Sequence, residues 1–432
     1  MTVSQESNYW LTTTSMPEGS PHPLPARADV AILGAGFTGL SAARRLARNG
    51  AAVAVLEANR IGWGASSRNG GMVLAGLKLG AETLTKRYGT GLARRLYESS
   101  LAAIDLVEEI VREERMECGF SRCGHLEVAS KPSHFAAYAR SVELIAREFH
   151  HPIRILARDE LPPEIGSGMY FGGVLDEAAA GVNPAQYVSA LARAAIEAGA
   201  SIYERARVER LRRTSENGSP GFSLATRRGS LFAREVLVAT SGYTSDATPA
   251  LKKKVIPIGS FLIATEPLPE NLARELNPRN RMISDSRHYL HYYRLTPDHR
   301  MLFGGRAAFL PESKNTIRRS AEILRRDMVA VYPQLRDRKV EHAWGGTLDF
   351  CFDTMPHAGE SKGVHFALGY AGHGVAMATY LGSKIAERMS GRSVDLAVEK
   401  IPFPGAPFGL YNGRPWFLPL AGAYYKLLDW TS

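Results

Sequence analysis

The sequence predicts an α/β protein, α+β overall. A Rossmann-like nucleotide domain on a parallel sheet is interrupted along the chain by a substrate domain with a mixed sheet. Three observations predict it. A strand–helix–strand unit follows a polar N-terminal arm, and the same buried-strand signature returns after residue 166 and again before residue 400. The chain also has 432 residues, more than one ordinary core accommodates.

Residues 1–27 are rich in Pro, Ser and Thr and read as an extended arm. "ADVAILGAG" is a fully buried strand, because its apolar run is continuous and ends in glycine. "FTGLSAARRLARNG" has helical spacing through Leu40, Ala43, Leu46 and Ala47 and closes on Asn49-Gly50. "AAVAVLEA" is a second buried strand, so strand, helix and strand make a right-handed βαβ unit of about 30 residues. Residues 81–116 read as mainly helical, and 118–165 alternate short strands and helices. "GVNPAQYVSALARAAIEAGASIYERARVERL" supplies a long amphipathic helix, a strand at Ala200–Tyr203 and another near Val208. "REVLVATSGYT" is one more buried strand. Mixed strands with aromatics occupy 246–345, and "VHFALGYAGHGVAMATYLGSKIAERMSG" restores strand, glycine turn and helix. The nucleotide domain is therefore expected in 28–117, 166–245 and 346–400, and the substrate domain in 118–165 and 246–345. Residues 401–432 form a C-terminal tail.

Apolar residues make up 45% and charged residues 22%, which describes a globular chain. No apolar run reaches the roughly 18–20 residues that span a bilayer, and the N-terminus lacks the basic-then-apolar order of a secretory signal. Cys118, Cys123 and Cys351 make neither a disulfide framework nor a metal-ligand spacing, so a reduced, cytoplasmic setting without metal is expected. The net charge is +10, but basic residues are interspersed with acidic ones outside Lys252–Lys254, which argues against nucleic acid. The tail "YNGRPWFLPLAGAYYKLLDW" mixes aromatics, Lys426 and apolar residues as a lipid interface does. Packing against the body is the preferred reading; membrane association is the alternative.

Gly34-Ala35-Gly36-Phe37-Thr38-Gly39 has the G-x-G-x-x-G spacing and lies between strand and helix, where a dinucleotide needs it. Gly34 permits the tight turn, Gly36 lets a pyrophosphate approach the backbone, and Gly39 lets the helix pack on the strand. The helix N-terminus offers free N–H groups and a positive dipole end. Glu57 ends the second strand, where a carboxylate accepts from ribose hydroxyls. "GWGASSRNGG", Gly62 to Gly71, is too polar for a core strand and lacks a helical period. Its small side chains let the main chain run close beneath a long, polar cofactor, a description that suits FAD better than a nicotinamide dinucleotide.

The chain resembles the FAD-dependent oxidoreductases of the D-amino-acid oxidase and sarcosine oxidase type, nearest to the γ-glutamylputrescine oxidase branch. The resemblance is carried by "SNYWL", "ADVAILGAGFTGLSAARRLA", "EANRIGWGASSRNGG", "VNPAQYVSALARAAIEAGA", "VLVATSGYT", "ATEPL", "YYRLTPDHRMLFGGR", "WGGTLDFCFDTMPHAG" and "GYAGHGVAMATYLG". It implies an FAD domain of the glutathione-reductase type. By this resemblance Gly34, Gly36, Phe37, Thr38 and Gly39 hold the pyrophosphate, and Glu57 and Ala58 the adenosine ribose. Arg60 and the run Gly64, Ala65, Ser66, Ser67, Arg68, Asn69, Gly70, Gly71 and Met72 line the pyrophosphate and flavin. Val208, Thr240, Ser241 and Gly242 enclose the adenine, and Gly372, His373, Gly374 and Val375 lie against the isoalloxazine ring.

The implied reaction removes a hydride from the carbon bearing a neutral amine and delivers it to flavin N5; the imine then hydrolyses to a carbonyl. Arg306, Tyr292, Tyr293 and His291 are the expected substrate ligands, with Arg306, Tyr293 and His373 as the catalytic set. Arg306 suits a carboxylate, though a surface ion pair is an equal reading, and tyrosines in such a strand are more often core aromatics than ligands. The helix opened by Gly372–Gly374 can aim its positive end at the reduced ring; His373 either adds to this or caps the helix. Two departures matter. Leu302 stands where sarcosine oxidases carry a lysine that assists reaction with oxygen, which leaves oxygen or another electron acceptor open. Gly346 stands near their covalent flavin cysteine, with Cys351 five residues away, so FAD is expected to bind without a covalent bond. An amino-acid oxidase or dehydrogenase of the glycine or D-amino-acid type is the alternative activity, and a flavoprotein with mainly a partner- or membrane-binding role the alternative of another class.

Overall fold

The uncharged run Val30–Leu33 becomes the centre of an eight-stranded sheet in the computed structural model, which describes residues 7–305 and 313–431. Strand Arg27–Leu33 pairs in parallel with Val53–Leu56 on one side and Gly229–Val238 on the other. Ser201–Tyr203 and Val364–Leu368 extend the parallel set, and His357–Ser361 closes one edge antiparallel. Val208–Glu216 and Ser219–Thr226 hang from Gly229–Val238 as an antiparallel meander. Strands covered on both faces need apolar residues at every position, which is why this run does not alternate.

Helix Phe37–Arg48 packs against helices Gly374–Met389 and Pro184–Glu197. A Cβ at Gly382 would overlap the Thr38 carbonyl, so this glycine lets the first two helices cross at backbone distance. Ser41 Oγ donates to the Thr379 carbonyl at 2.7 Å, and the Thr38 and Tyr370 hydroxyls bond at 2.7 Å. Both helices consequently begin at the same edge of the sheet, each from a glycine turn.

The second sheet runs in the order Val340–Phe350, Ile256–Thr265, Met301–Gly305, His291–Leu295, Met282–Asp285, His125–Val128, Gly172–Asp176, Arg154–Ala157. Its back face packs Phe261, Ile263, Tyr293 and Phe303 under Leu324 and Met328 of helix Lys314–Val331. Its front face turns toward the first domain. Two expected domain boundaries move. Gly172–Asp176 pairs with His125–Val128, so it belongs to the second sheet and not to the 166–245 nucleotide segment. Val340–Phe350 pairs with Ile256–Thr265 along its length, past the expected break at 346.

The N-terminal arm is not merely extended. Tyr9–Thr12 forms a 3₁₀ turn capped by the Asn8 side chain, and Trp10 is fully buried. The tail packs on the body: Tyr411 donates to the Val255 carbonyl at 2.7 Å, Tyr289 to the Gly422 carbonyl at 3.0 Å, and Leu418 is buried. Among the described residues no helix is long and apolar enough to cross a membrane.

His291 is held between two carboxylates, with Nδ1 at 3.0 Å from Asp285 and Nε2 at 3.3 Å from Asp327. Burial opposes its charge, but the hydrogen bonds to both aspartates outweigh this and raise its pKa to about 9. The folded-state value lies above the usual value of about 6.5, so the stabilisation is complete below pH 6.5 and lost as pH rises through 9. Thermal melts are expected to show a lower Tm at pH 9.5 than at pH 7, with a smaller drop in Asp327→Asn; equal drops would contradict the double ion pair.

Candidate active site

The glycine turn is built as its spacing requires. Gly34 has φ +104°, and a Cβ there would stand 2.7 Å from the Ala239 carbonyl oxygen. A Cβ at Gly39 would overlap the Gly34 carbonyl, so no larger residue allows this helix to sit on this strand. Glu57 accepts from the backbone N–H of Ala35 and of Asn59, both at 2.8 Å. Burial raises its pKa against those two bonds. A cavity of about 270 Å³ runs from Val208 and Glu57 past Gly34–Thr38 to Gly374, Val375 and Ala378.

The strip Gly62–Gly71 lies along this cavity, and most of its polar groups hold it in place. Ser66 Oγ accepts the Phe37 N–H at 3.0 Å and stands where a Cβ on Gly36 would come within 2.8 Å. Asn69 donates to the carbonyls of Ala65 and Ser66 and accepts the Gly71 N–H at 2.8 Å. Arg68 donates to the carbonyls of Trp63 and Gly345. From beneath, Asn8 donates to the Ser67 carbonyl at 2.7 Å and Trp10 to the Asn69 carbonyl at 2.9 Å.

A second cavity of about 400 Å³ adjoins the first; Ala65, Asn69, Leu348, Gly372 and Val375 line both. Gly372 has φ +93°, and no atom lies within 4 Å of the place its Cβ would take. His373 faces the second cavity with a buried Nδ1 that has no partner. Burial, with Lys78 and His125 adding to it, pushes the His373 pKa down to about 3, so the ring is neutral. It makes no side-chain cap on helix Gly374–Met389. His373 therefore holds the N-cap position of this helix without a side-chain cap bond and without charge, and the helix dipole is the positive end that the turn presents. An open Cβ position, an orphaned nitrogen and two helix N-termini along one trough fit an elongated dinucleotide with a planar end.

The first cavity gathers Gly34, Gly36, Phe37, Thr38, Glu57, Ala58, Gly64, Ala65, Ser66, Asn69, Val208, Thr240, Ser241, Gly372, Gly374 and Val375. The second adds Arg68, Gly70, Met72, Tyr292 and His373. Gly39, Gly71 and Gly242 serve packing instead: a Cβ on Gly71 would overlap the Val182 carbonyl, and one on Gly242 would come within 2.9 Å of the Leu348 carbonyl. Ser67 is buried within the strip. Arg60 lines neither cavity, and Arg207, itself exposed, borders the first beside Val208 in its stead.

The substrate assignments change more. Tyr293 points to the opposite face from Tyr292, because residues in a strand alternate. Its hydroxyl donates to Tyr170 at 2.8 Å and its ring stacks on Phe303 in the back-face core. His291 shares that face and is occupied by Asp285 and Asp327. Arg306 lies outside the described residues. Leu302 packs with Trp10, Leu262 and Trp344 and lines neither cavity.

Sequence reasoning missed Lys78, His125, Glu127, Ser284 and Arg287, all on the second cavity, and Asp349 on the first. Asp349 accepts from the backbone N–H of Gly369 and Tyr370, tying strand Val340–Phe350 to the turn before helix Gly374–Met389. Burial raises its pKa to about 6. A lone acid in the apolar "TLDF" was the available signal for Asp349, and the alternation in "GHLEV" for His125 and Glu127.

The profile of the family described as DAO, FAD dependent oxidoreductase, matches residues 29–388. The chain is 34% identical over 424 residues to a probable oxidoreductase OrdL of Rhizobium meliloti, covering 98% of this chain and 96% of that protein. It is 31% identical over 407 residues to the gamma-glutamylputrescine oxidoreductase of Escherichia coli, covering 93% and 92%. Among solved structures, glycine oxidase from Geobacillus kaustophilus superposes with a TM-score of 0.72 at 21% identity, over 86% of this chain and 96% of that one.

Glu57→Gln replaces one acceptor oxygen by a donor, so it loses either a backbone bond or its reach to the ribose. FAD affinity is expected to fall about 10- to 100-fold, the worth of a charge-assisted hydrogen bond. Reconstitution of apoprotein followed by flavin fluorescence measures it; an unchanged Kd would remove Glu57 from the site.

Proposed function

The chain belongs to the FAD-dependent oxidoreductase family, and from that premise we propose that it oxidises a C–N bond of a primary or secondary amine, an acylated diamine or an amino-acid derivative. The observation that carries this reading is the junction of the two cavities at Ala65, Asn69, Gly372 and Val375, where one molecule lying in the trough meets another held in the chamber. FAD, when bound, accepts the hydride at N5, and the resulting imine hydrolyses in water to a carbonyl.

The chain's own residues bind, orient and desolvate. Leu262, Leu348 and Phe350 give the chamber apolar wall, which disfavours the charged form of an entering ammonium; the positive charge of Lys78 acts in the same direction. Both favour the neutral amine that hydride removal requires. Tyr292 crosses the floor, with its hydroxyl 3.3 Å from Ser260 Oγ and its ring over Gly70 and Gly304. Lys78 and Arg287 in the same wall favour the second reading, an α-amino acid whose carboxylate they would take. Leu302 leaves the electron acceptor, oxygen or another, to experiment.

A non-covalent flavin is supported by Gly346 in the chamber wall and by the place of Cys351. That thiol is buried beside Gly369, off both cavities, and burial pushes its pKa up. Heat or acid should release FAD into the supernatant; yellow colour retained by the precipitate would contradict this.

Mixing oxidised holoenzyme anaerobically with amines and with α-amino acids decides the substrate class. Loss of the flavin absorbance near 450 nm is expected with amines. Bleaching by α-amino acids alone would favour the second reading, and bleaching by neither would end both.

A further inference from the structure

Strand His125–Val128 divides its side chains by alternation. Leu126 and Val128 enter the core behind the sheet, while His125 and Glu127 face the second cavity. Pairing in register with Met282–Asp285 sets Ser284 beside Glu127 on that face. Glu127 is enclosed by protein on all sides yet keeps accessible surface, because the surface it keeps is cavity wall. It accepts the Tyr138 hydroxyl at 3.1 Å. A carboxylate offers about four acceptor sites, so capacity toward the chamber remains.

The neighbouring polar groups are committed elsewhere. Asp285 is taken by His291 and Arg287, and Ser284 Oγ by His125 Nε2 at 2.9 Å. Burial pushes the His125 pKa down to about 4, so it brings no charge at neutral pH. Lys78 contributes a positive field to Glu127 and also to His373. His125 lies within electrostatic reach of His373 at the junction, and Glu127 follows two residues, about 7 Å, along the strand. A carboxylate at that depth is costly to enclose; the Tyr138 hydroxyl and the field of Lys78 offset only part of that cost, and its remaining acceptor sites face the chamber.

We infer that Glu127 receives a second ammonium group of the substrate, remote from the carbon being oxidised, so that the preferred amines carry a positive charge at both ends of a short aliphatic spacer. The inference rests on the amine reading above and narrows it to dicationic amines.

Putrescine and cadaverine, each set against the monoamine of equal length, butylamine and pentylamine, test it on holoenzyme. The wild type is expected to prefer the diamine at least tenfold in kcat/KM. Glu127→Gln should bring that ratio toward one through a raised KM for the diamine, and Glu127→Asp should keep part of the preference. Retained FAD and an unshifted melt establish that each variant is folded, and if the glutamine variant fails to fold, the aspartate variant reads the same ratio. A preference that survives in Glu127→Gln, or equal losses on diamine and monoamine, overturns the role of Glu127 while amine oxidation stands. A wild type bleached by no amine at all instead brings down the reading on which it rests.

Discussion

The site depends on two backbone contacts that tolerate only glycine: Gly39 against the Gly34 carbonyl and Gly382 against the Thr38 carbonyl. The first sets helix Phe37–Arg48 on its strand; the second sets helix Gly374–Met389 across it. Together they bring two helix N-termini to one trough, one midway along it at Gly36 and one at Gly372–Gly374. The same residues are bonded side by side, Thr38 to Tyr370 and Ser41 to Thr379, so the distance between the two positive ends is fixed by packing. Each dipole end is worth only about 0.3–1 kcal/mol to a nearby negative group. What the crossing adds is preorganisation, since neither end must move when charge develops on a bound cofactor.

The strip between them is held by the other domain and by the arm. Trp344 donates to the Arg68 carbonyl at 3.1 Å, and Arg294, on the front face of the second sheet, donates to the carbonyls of Gly71 and Val182. Arg294 is fully enclosed, and burial lowers its pKa to about 10, yet it remains charged at neutral pH. Asn8 and Trp10 complete the support. Carbonyls engaged from below fix the peptide planes, and the small side chains leave the upper surface free for close approach. The glycines, serines and asparagine of Gly62–Gly71 thus shape a surface; few of them are ligands in their own right.

Much of this was legible in the sequence, because the trough is made of features that local rules encode. A glycine needed for positive φ, a run without alternation and a closing acid are each visible within about six residues. The chamber is made otherwise. Whether Tyr292 or Tyr293 faces it depends on strand parity, and a shift of one residue reverses every side chain. "HYYRL" offers no polar–apolar contrast to settle that parity, so both tyrosines read alike. Glu127 reaches Ser284 through a parallel pairing of strands more than 150 residues apart, and no local spacing announces it. Arg60 and Arg207 show the same limit: both flank strands of the first sheet, and only the tertiary path decides which borders the trough.

The two cavities also divide the electrostatic work. At the junction, His373 and His125 are neutral at physiological pH, so the positive end of helix Gly374–Met389 is the fixed source beside the ring's place. Deeper in the chamber stand the acidic and basic side chains: Lys78, Glu127 and Arg287, with the Asp285–His291–Asp327 set behind the last. On the proposed reaction, a neutral junction would keep an amine from gaining a counter-ion that holds its proton, while polar groups farther in would take the rest of the molecule. Had Tyr293 and His291 faced the chamber, the imidazole would have joined its wall without the two aspartates that hold its charge. Turning them into the core lets that charge stabilise the sheet and leaves the front face to Glu127 and Lys78.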